Sequence, residues 1–249
     1  GILFLLGTSA YCLLFSFSRG GYAGFLVGLL VIGLLKARKF LVIAVLILVS
    51  WQTLLPTAVQ QRIMMTTGDG GGGQFDSSSE ERLTLWQDAW DLFKRNPVSG
   101  TGFDTYEFMG RVGPYRDTHN YYLKVLVETG VVGIVFFLLL LKKLFFSGFH
   151  LYRSSEDPFW SAMGLGFTGL VASAIVLNFF GDRWSYQQVD GYLWILLGCV
   201  IRGLAITEGG EEENEWSEVE ERELPISEDA DTALAGTTSF CGSLRKTRT

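Results

Sequence analysis

The stretch "YRDTHNYYLKVLVETGVVGIVFFLLLLKK", residues 115–143, decides what kind of protein this is. Its polar start gives way at Tyr121 to an apolar run of about 20 residues, the length that a helix needs to cross a hydrocarbon layer roughly 30 Å thick. A helix satisfies its backbone hydrogen bonds internally, and the run lacks the alternation of a membrane strand. The stretch therefore predicts a membrane-spanning helix with His119 at its mouth.

Similar apolar blocks recur along the 249 residues, of which 48% are hydrophobic, and the mean hydropathy is +0.27. They predict about six spans: 2–17, 22–35, 40–55, 121–141, 159–180 and 192–206. A span needs roughly 17 to 25 residues unless tilt or neighbouring helices shorten it, and the first two are short. The predicted fold class is all-α, a polytopic integral membrane helix bundle. Because the sequence opens at Gly1 inside an apolar run, we expect it to be the C-terminal part of a longer membrane protein.

Basic residues in short loops predict the orientation, because Lys and Arg mark the cytoplasmic side. Lys36 to Lys39 and the segment from Lys142 to Arg153 carry such charges. Counting spans from them puts residues 18–21, 56–120 and 181–188 on the extracytoplasmic face. Arg19, Arg82, His119 and Arg183 are then expected on one side of the membrane.

Four regions follow from this topology. Residues 1–55 form three transmembrane helices, 56–120 an extracytoplasmic loop domain, 121–206 three further transmembrane helices, and 207–249 an acidic, disordered cytoplasmic tail that holds much of the net charge of −6. Within the loop domain a glycine-rich linker, 66–79, precedes an amphipathic helix near 79–95. Capping boxes at Ser77 or Ser78 start that helix, and Arg82, Trp86, Ala89 and Phe93 share one face.

No metal site or cofactor is predicted. The three cysteines, Cys12, Cys199 and Cys241, are far apart in sequence, and no Cys/His spacing matches a zinc site. The glycine run 68–73 lacks the Lys-Ser/Thr ending of a nucleotide-binding loop, so it reads as a linker.

Three residues stand out as candidates for chemistry, each beside a plainer interpretation. His119 can accept a proton from a hydroxyl near neutral pH, or it is an interfacial histidine among tyrosines. Arg19, between two apolar runs and followed by two glycines, suits phosphate, or it reaches to the interface like many membrane arginines. Arg183, beside Asp182 and Trp184, is the weakest, because an interfacial anchor has the same pattern.

Three blocks in order, "SRGGYAGFLVGLL" (18–30), "ERLTLWQDAWDLFKRNPVSGTGFDTY" (81–106) and "THNYYLKVLVETGVVGIVFFLLLL" (118–141), resemble the signature of the O-antigen ligase and O-antigen polymerase superfamily. The resemblance covers about residues 15–141. It implies a GT-C-like membrane fold, with spans upstream of Gly1. It also implies an inverting, metal-independent glycosyltransferase on the extracytoplasmic face of the bacterial inner membrane.

By the same resemblance, the donor is an undecaprenyl-diphosphate-linked glycan and the acceptor a hydroxyl of a glycan, lipid A core or protein. Arg19 and His119 take catalytic roles, and Arg82, Asn120 and Tyr121 are substrate-binding. Arg183 lies outside the resemblance, and we expect it to bind substrate only because the predicted topology places it on the same face. Guanidinium groups stabilise a departing diphosphate, while an imidazole takes the proton of the acceptor hydroxyl.

Other functions remain open from sequence. A lipid-linked glycan flippase or other polytopic transporter would place charges near the bilayer midplane, whereas these spans are almost uncharged. A passive assembly subunit that binds a partner through Trp86 and Trp90 is a third reading. Ligase, polymerase and protein O-oligosaccharyltransferase are not separated.

Overall fold

The computed structural model describes residues 1–36, 38–54, 60, 77–110 and 118–223. Of the linker predicted at 66–79, residues 66–76 lie outside the described residues, and 77–79 already belong to a helix. The tail beyond 223 also lies outside the described residues, as do the side chains of Arg19 and of residues 77–80, and with them the capping boxes. Regular structure within the described ranges is helical throughout. The α-helices are α1 (Ile2–Leu14), α2 (Arg19–Leu35), α3 (Arg38–Leu54), α4 (Ser77–Arg95), α5 (Tyr121–Ser154), α6 (Pro158–Leu177) and α7 (Gln187–Glu223), with a short 3-10 helix at Tyr106–Met109.

The all-α membrane class is confirmed. In the part of the chain that the structure describes, α5, α6 and residues Asp190–Gly209 of α7 are long and apolar enough to cross a membrane. Ile2–Leu14 and Gly20–Leu35 are shorter apolar helices. The total of about six spans stays a prediction.

Side-chain caps fix where three of these helices begin. The Ser18 hydroxyl accepts the Gly21 N–H at 3.1 Å, and the Asn120 side chain accepts the Leu123 N–H at 3.2 Å. Asp157 accepts the N–H groups of Phe159 and Trp160, and Pro158 occupies the first turn. Such caps satisfy backbone donors that a helix start leaves without partners, so local sequence sets the helix starts.

Helices α2 and α6 pack closely and run in opposite directions. A Cβ placed on Gly24 would lie 2.7 Å from Leu177 Cγ, and one on Gly28 would lie 3.2 Å from the Gly169 carbonyl oxygen. The small residues of "GFLVG" therefore let two backbones approach, as a small-residue motif predicts. The contact aligns the start of α2 with the end of α6.

Helices α5, α6 and α7 share a hydrophobic core. Its buried members are Leu144, Leu151, Phe167, Val171, Leu193 and Val200. At the far end of this core the Tyr152 hydroxyl donates to the Leu35 carbonyl at 2.9 Å, which ties the end of α5 to the end of α2. We call this region, residues 33–41 and 148–164, the Tyr152 end. The opposite region, residues 17–21, 118–122 and 177–186, is the His119 end.

Helix α5 is not straight. Gly130 has φ 68° and ψ −166°, outside helical geometry, and the rings of Tyr121 and Phe137 lie 5.3 Å apart. In a straight helix these residues would be separated by about 24 Å, at 1.5 Å per residue. The chain therefore turns back at Gly130, and the single span predicted at 121–141 contains two helical pieces. The piece after Gly130, residues 131–154, extends about 36 Å, which still suffices to cross the hydrocarbon layer.

The chain divides into two compact units, Gly1–Thr207 and Glu208–Thr249. In the second unit, residues 208–223 are helical, within the segment whose composition predicts disorder. Glu is a good helix former, so a composition that opposes a packed core does not oppose a helix. The cytoplasmic assignment of this segment stays a prediction.

Candidate functional site at the His119 end

His119 lies in a turn that is fixed on both sides. Its φ is 50°, an uncommon value for a residue other than glycine. Thr118 before it is fully buried, and its hydroxyl donates to the Asn120 carbonyl at 2.6 Å. Asn120 after it caps α5. The predicted substrate-binding amide of Asn120 thus has a structural role as well, which sets the orientation of the turn.

Asn178, at the end of α6, joins this turn to the loop that carries Arg183. The Tyr121 N–H donates to the Asn178 carbonyl at 2.9 Å, and the Arg183 N–H donates to the Asn178 side-chain oxygen at 3.3 Å. The Arg183 side chain is exposed and folds back over Gly181, since its Nε lies 3.3 Å from the position of a Cβ there. The structure therefore brings Arg183 and the His119 turn together.

The start of α2 reaches the same loop. A Cβ on Gly20 would lie 2.8 Å from Phe180 Cβ, two residues beyond Asn178. Arg19 is the first residue of α2, so its backbone belongs to the His119 end.

Helix α4 contacts the His119 turn from another side. The indole N–H of Trp86 donates to the Thr118 carbonyl at 3.0 Å, and Arg82 lies one helical turn earlier. The buried face of α4 is centred on Leu85, Ala89 and Leu92. The predicted face of Arg82, Trp86, Ala89 and Phe93 is therefore rotated from the observed one, because the half-buried aromatic residues flank this centre.

The segment 97–102 supplies the hydrogen bonds that the break in α5 would otherwise lose. The N–H groups of Thr101 and Gly102 donate to the Val127 and Glu128 carbonyls at 3.0 and 2.9 Å, and the Val131 N–H donates to the Pro97 carbonyl at 2.9 Å. Gly130 faces the Val98 carbonyl directly, where no Cβ fits. The Pro-x-x-Gly-x-Gly and Glu-x-Gly motifs thus interlock through their backbones.

Glu128 reinforces this contact. Its side chain is buried, and its two carboxylate oxygens accept the N–H groups of Asp104 and Tyr106 at 3.0 and 3.1 Å. Asp104 has φ 55°, so the carboxylate stabilises a backbone conformation that is otherwise unfavourable.

Lys124, one turn before Glu128, forms a second buried polar contact. Its ammonium donates to Asp104 and Asp182 carboxylate oxygens at 3.1 Å each and to the Ser185 hydroxyl at 3.2 Å. The Lys124 and Asp182 side chains are 9% and 5% exposed. This one side chain connects α5 to both neighbouring loops.

An aromatic cluster and an apolar groove lie beside these charges. The Tyr121 ring, predicted to bind substrate, stacks on Trp184 at 6.2 Å. The Tyr122 hydroxyl donates to the Ile175 carbonyl at 2.7 Å. An open groove of about 550 Å³ lies between Tyr122, the part of α5 from Ile134 to Phe146, and Ile175 and Phe179 near the end of α6. Its lining is apolar except for Lys142.

Sequence reasoning missed Lys124, Glu128, Asp104 and Asp182 as a group. A signal was present, since Lys124 and Glu128 stand four residues apart in an otherwise apolar run, and ionisable residues there are functional candidates by default. Their partners lie 20 to 58 residues away, beyond the reach of a local pattern. Among the described residues, no group of three or more His, Cys, Asp or Glu side chains is arranged to hold a metal ion.

Comparison with known proteins shows the family of this chain. The sequence profile of the O-antigen ligase family matches residues 3–138, more than half of the chain. The chain is also similar to the probable peptidoglycan glycosyltransferase FtsW of Bacillus subtilis, at 25% identity over 120 residues. That alignment covers 41% of this chain and 30% of the relative's length. The matched blocks contain the His119 turn, α4 and the start of α2, and the chain is a membrane protein that belongs to the O-antigen ligase family.

Proposed function

We propose that this chain carries the active site of a glycosyltransferase that moves a glycan from undecaprenyl diphosphate to an acceptor hydroxyl, as an O-antigen ligase or a polysaccharide polymerase does. The observation that carries the proposal is the convergence of four separate segments at the His119 end. Contacts of Gly20 with Phe180, Tyr121 with Asn178, and Trp86 with Thr118 join them. Each segment contributes an arginine or the histidine.

His119 acts as the general base in this proposal. The acceptor oxygen bonds to the anomeric carbon from the face opposite the diphosphate, and the hydroxyl proton passes to the imidazole. The bond between that carbon and the diphosphate oxygen breaks, and its electron pair leaves with undecaprenyl diphosphate. Displacement from the opposite face inverts the anomeric configuration, and no metal ion takes part.

The arginines stabilise the leaving group. Negative charge grows on the diphosphate as the sugar bond breaks, and guanidinium groups already in place lower the energy of that state. Arg19 acts on the transition state, while Arg82 and Arg183 bind the phosphates. The capped N-terminus of α2 adds to the positive field around Arg19, because helix N-termini carry partial positive charge. Asn120 and Tyr121 line the acceptor side.

The groove beside Tyr122 fits the lipid part of such a donor. It is open and apolar, and Tyr122, three residues after His119, lines it together with residues of α5 after Gly130. A polyprenyl chain seated there places its diphosphate at the His119 end, while the chain stays in the hydrocarbon layer. The basic Tyr152 end then faces the cytoplasm of a bacterial inner membrane, and the His119 end faces the outside.

The test replaces each of the two histidines in turn. We expect His119→Asn to reduce glycan transfer by about 100-fold or more, because general-base catalysis contributes at least that much. Asn tolerates the positive φ at this position, so the turn is kept. The matched control is His150→Asn, in the last turns of α5, which should leave transfer unchanged. Equal surface polysaccharide from both variants, at equal protein abundance in the membrane, would refute the assignment of the base.

Deleting the gene in its host distinguishes the two acceptor classes. Short surface repeats indicate a polymerase, whereas uncapped core together with accumulated lipid-linked polymer indicates a ligase. An unchanged surface glycan profile would contradict both forms of the proposal.

A further inference from the structure

We propose that Lys124 is a positioning residue that holds Arg183 beside the His119 turn, so that the loop binds the donor diphosphate. The inference rests on the proposed function and deepens it. It assigns a role to a residue that makes no contact with substrate and acts through another.

The ammonium of Lys124 has no donor left for a ligand. It has three N–H donors, and three oxygens accept them: one each from Asp104, Asp182 and Ser185. With 9% of the side chain exposed, the charge is directed inward. Lys124 is therefore suited to organise the protein and not to contact the phosphates itself.

Asp182 depends on this ammonium. One of its oxygens accepts the Ser185 N–H at 3.1 Å, and the other accepts the Ser185 hydroxyl at 2.7 Å as well as Lys124. The carboxylate is almost fully buried, and a buried charge that loses its partner is strongly unfavourable. Without Lys124, the 182–185 turn is expected to move toward water.

Arg183 follows Asp182 directly in the chain, and each of these two residues is held by a different partner. Asn178 holds the Arg183 N–H, and Lys124 holds the Asp182 side chain. Binding energy is lost when a charged side chain must first be ordered, and a fixed backbone avoids part of that loss. Asp182 and Arg183 lie outside the residues matched by the family profile, so Lys124 ties the matched part of the chain to a later loop.

The first experiment measures the Kd of undecaprenyl diphosphate for the full chain in lipid nanodiscs. We expect Lys124→Met and Arg183→Ala each to raise the Kd by about tenfold, or about 1.4 kcal/mol. The double variant should match Arg183→Ala within about twofold, because residues that act through one another are not additive. Lys143→Met, an exposed lysine on the same helix, is the control and should bind like wild type.

Two results would overturn the inference: a double variant about 100-fold weaker than wild type, or a Lys124→Met variant that binds normally. If Lys124→Met does not accumulate in the membrane, Asp182→Asn takes its place, since it weakens the same pair at constant volume. It should raise the Kd in the same direction. An Asp182→Asn variant that binds normally also overturns the inference.

A second experiment needs no ligand. A nitroxide at Tyr186→Cys, with Cys12, Cys199 and Cys241 replaced, reports the motion of the loop, because Tyr186 is half exposed. Lys124→Met should make the label more mobile, and Lys143→Met should not. An unchanged spectrum would contradict the positioning role. If wild type fails to bind undecaprenyl diphosphate, the proposed function falls, and the label still decides whether Lys124 holds the loop.

Discussion

The two ends of the bundle are held together in different ways. At the Tyr152 end, helices of ordinary geometry are joined by close glycine contacts such as Gly148 with Gly164 and by two hydrogen bonds of Tyr152. Its hydroxyl donates to the Leu35 carbonyl, and its carbonyl accepts the Ser161 hydroxyl. At the His119 end and the loops packed on it, buried charges meet an unusual backbone. All positive-φ residues of the described ranges occur there: Phe17, Gly100, Gly102, Asp104, Gly110, His119 and Gly130. Strained backbone persists only where surrounding contacts over-determine it, and it concentrates at functional sites.

The unusual backbone at the His119 end is unfavourable by itself, and specific contacts stabilise it. The charged side chains of Glu128 and Lys124 bind neighbouring loops, and the 97–102 segment replaces the hydrogen bonds lost at Gly130. The helices at the Tyr152 end have ordinary geometry and need no such contacts. The contrast is tested by substitutions at the His119 end and its loops, each paired with a matched control substitution at another position.

The largest effect is expected for Gly130→Ala. The φ and ψ of Gly130 suit glycine alone, and a Cβ would meet the Val98 carbonyl, so we expect a loss of about 3 kcal/mol or more. Gly166→Ala in α6 is the counterpart, because a Cβ there meets no atom within 4 Å. It should be neutral or stabilising by up to about 1 kcal/mol. Thermal unfolding in detergent measures both, and equal unfolding temperatures would contradict the account of the break.

A smaller loss is expected for Glu128→Gln. The amide keeps the size but loses the charge, and its NH2 group faces one of the two N–H donors that the carboxylate accepts. Leaving a buried donor unsatisfied costs about 1 to 3 kcal/mol. Glu156→Gln, an exposed residue at the far end of the bundle, should change the unfolding temperature little. Similar shifts for the two variants would show that the Glu128 contacts are not important for stability.

The smallest effects on stability are expected for Trp86→Phe and Tyr152→Phe, and these two variants should differ in the rate of glycan transfer. Trp86→Phe and Tyr152→Phe each remove one side-chain donor to a backbone carbonyl, at opposite ends of the bundle. We expect each to cost about 1 kcal/mol in unfolding free energy. Only Trp86→Phe should also slow glycan transfer, since it releases the carbonyl next to His119. Equal glycan transfer rates for the two variants would contradict the claim that the His119 end, and not the Tyr152 end, supports transfer.

Local signals predicted a large part of this fold. Apolar runs gave the helices, and the Ser18, Asn120 and Asp157 caps start them where such residues precede an apolar run. The small residues of α2 are a local signal of the same kind, because they permit a close helix contact and Gly24 and Gly28 form it. Each of these patterns involves residues close together in the chain, so it can be recognised in a single sequence.

The reversal of α5 and the buried charges were not predictable in the same way. "TGVVGIVFF" reads as part of one continuous span, and the segment that stabilises its break lies about 30 residues upstream. Lys124 and Asp182 are 58 residues apart. Such non-local pairs depend on how the helices pack, and the spacing of residues along the sequence does not determine that packing.

The most direct test of the central claim asks which side of the membrane each end faces. In a variant without native cysteines, Phe17→Cys and Tyr186→Cys mark the His119 end, and Glu156→Cys marks the opposite end; all three positions are exposed. A membrane-impermeant maleimide added to intact cells should label the first two and should label Glu156→Cys only after permeabilisation. Labelling of Glu156→Cys in intact cells, with Phe17→Cys and Tyr186→Cys protected, would contradict an active site that faces outward.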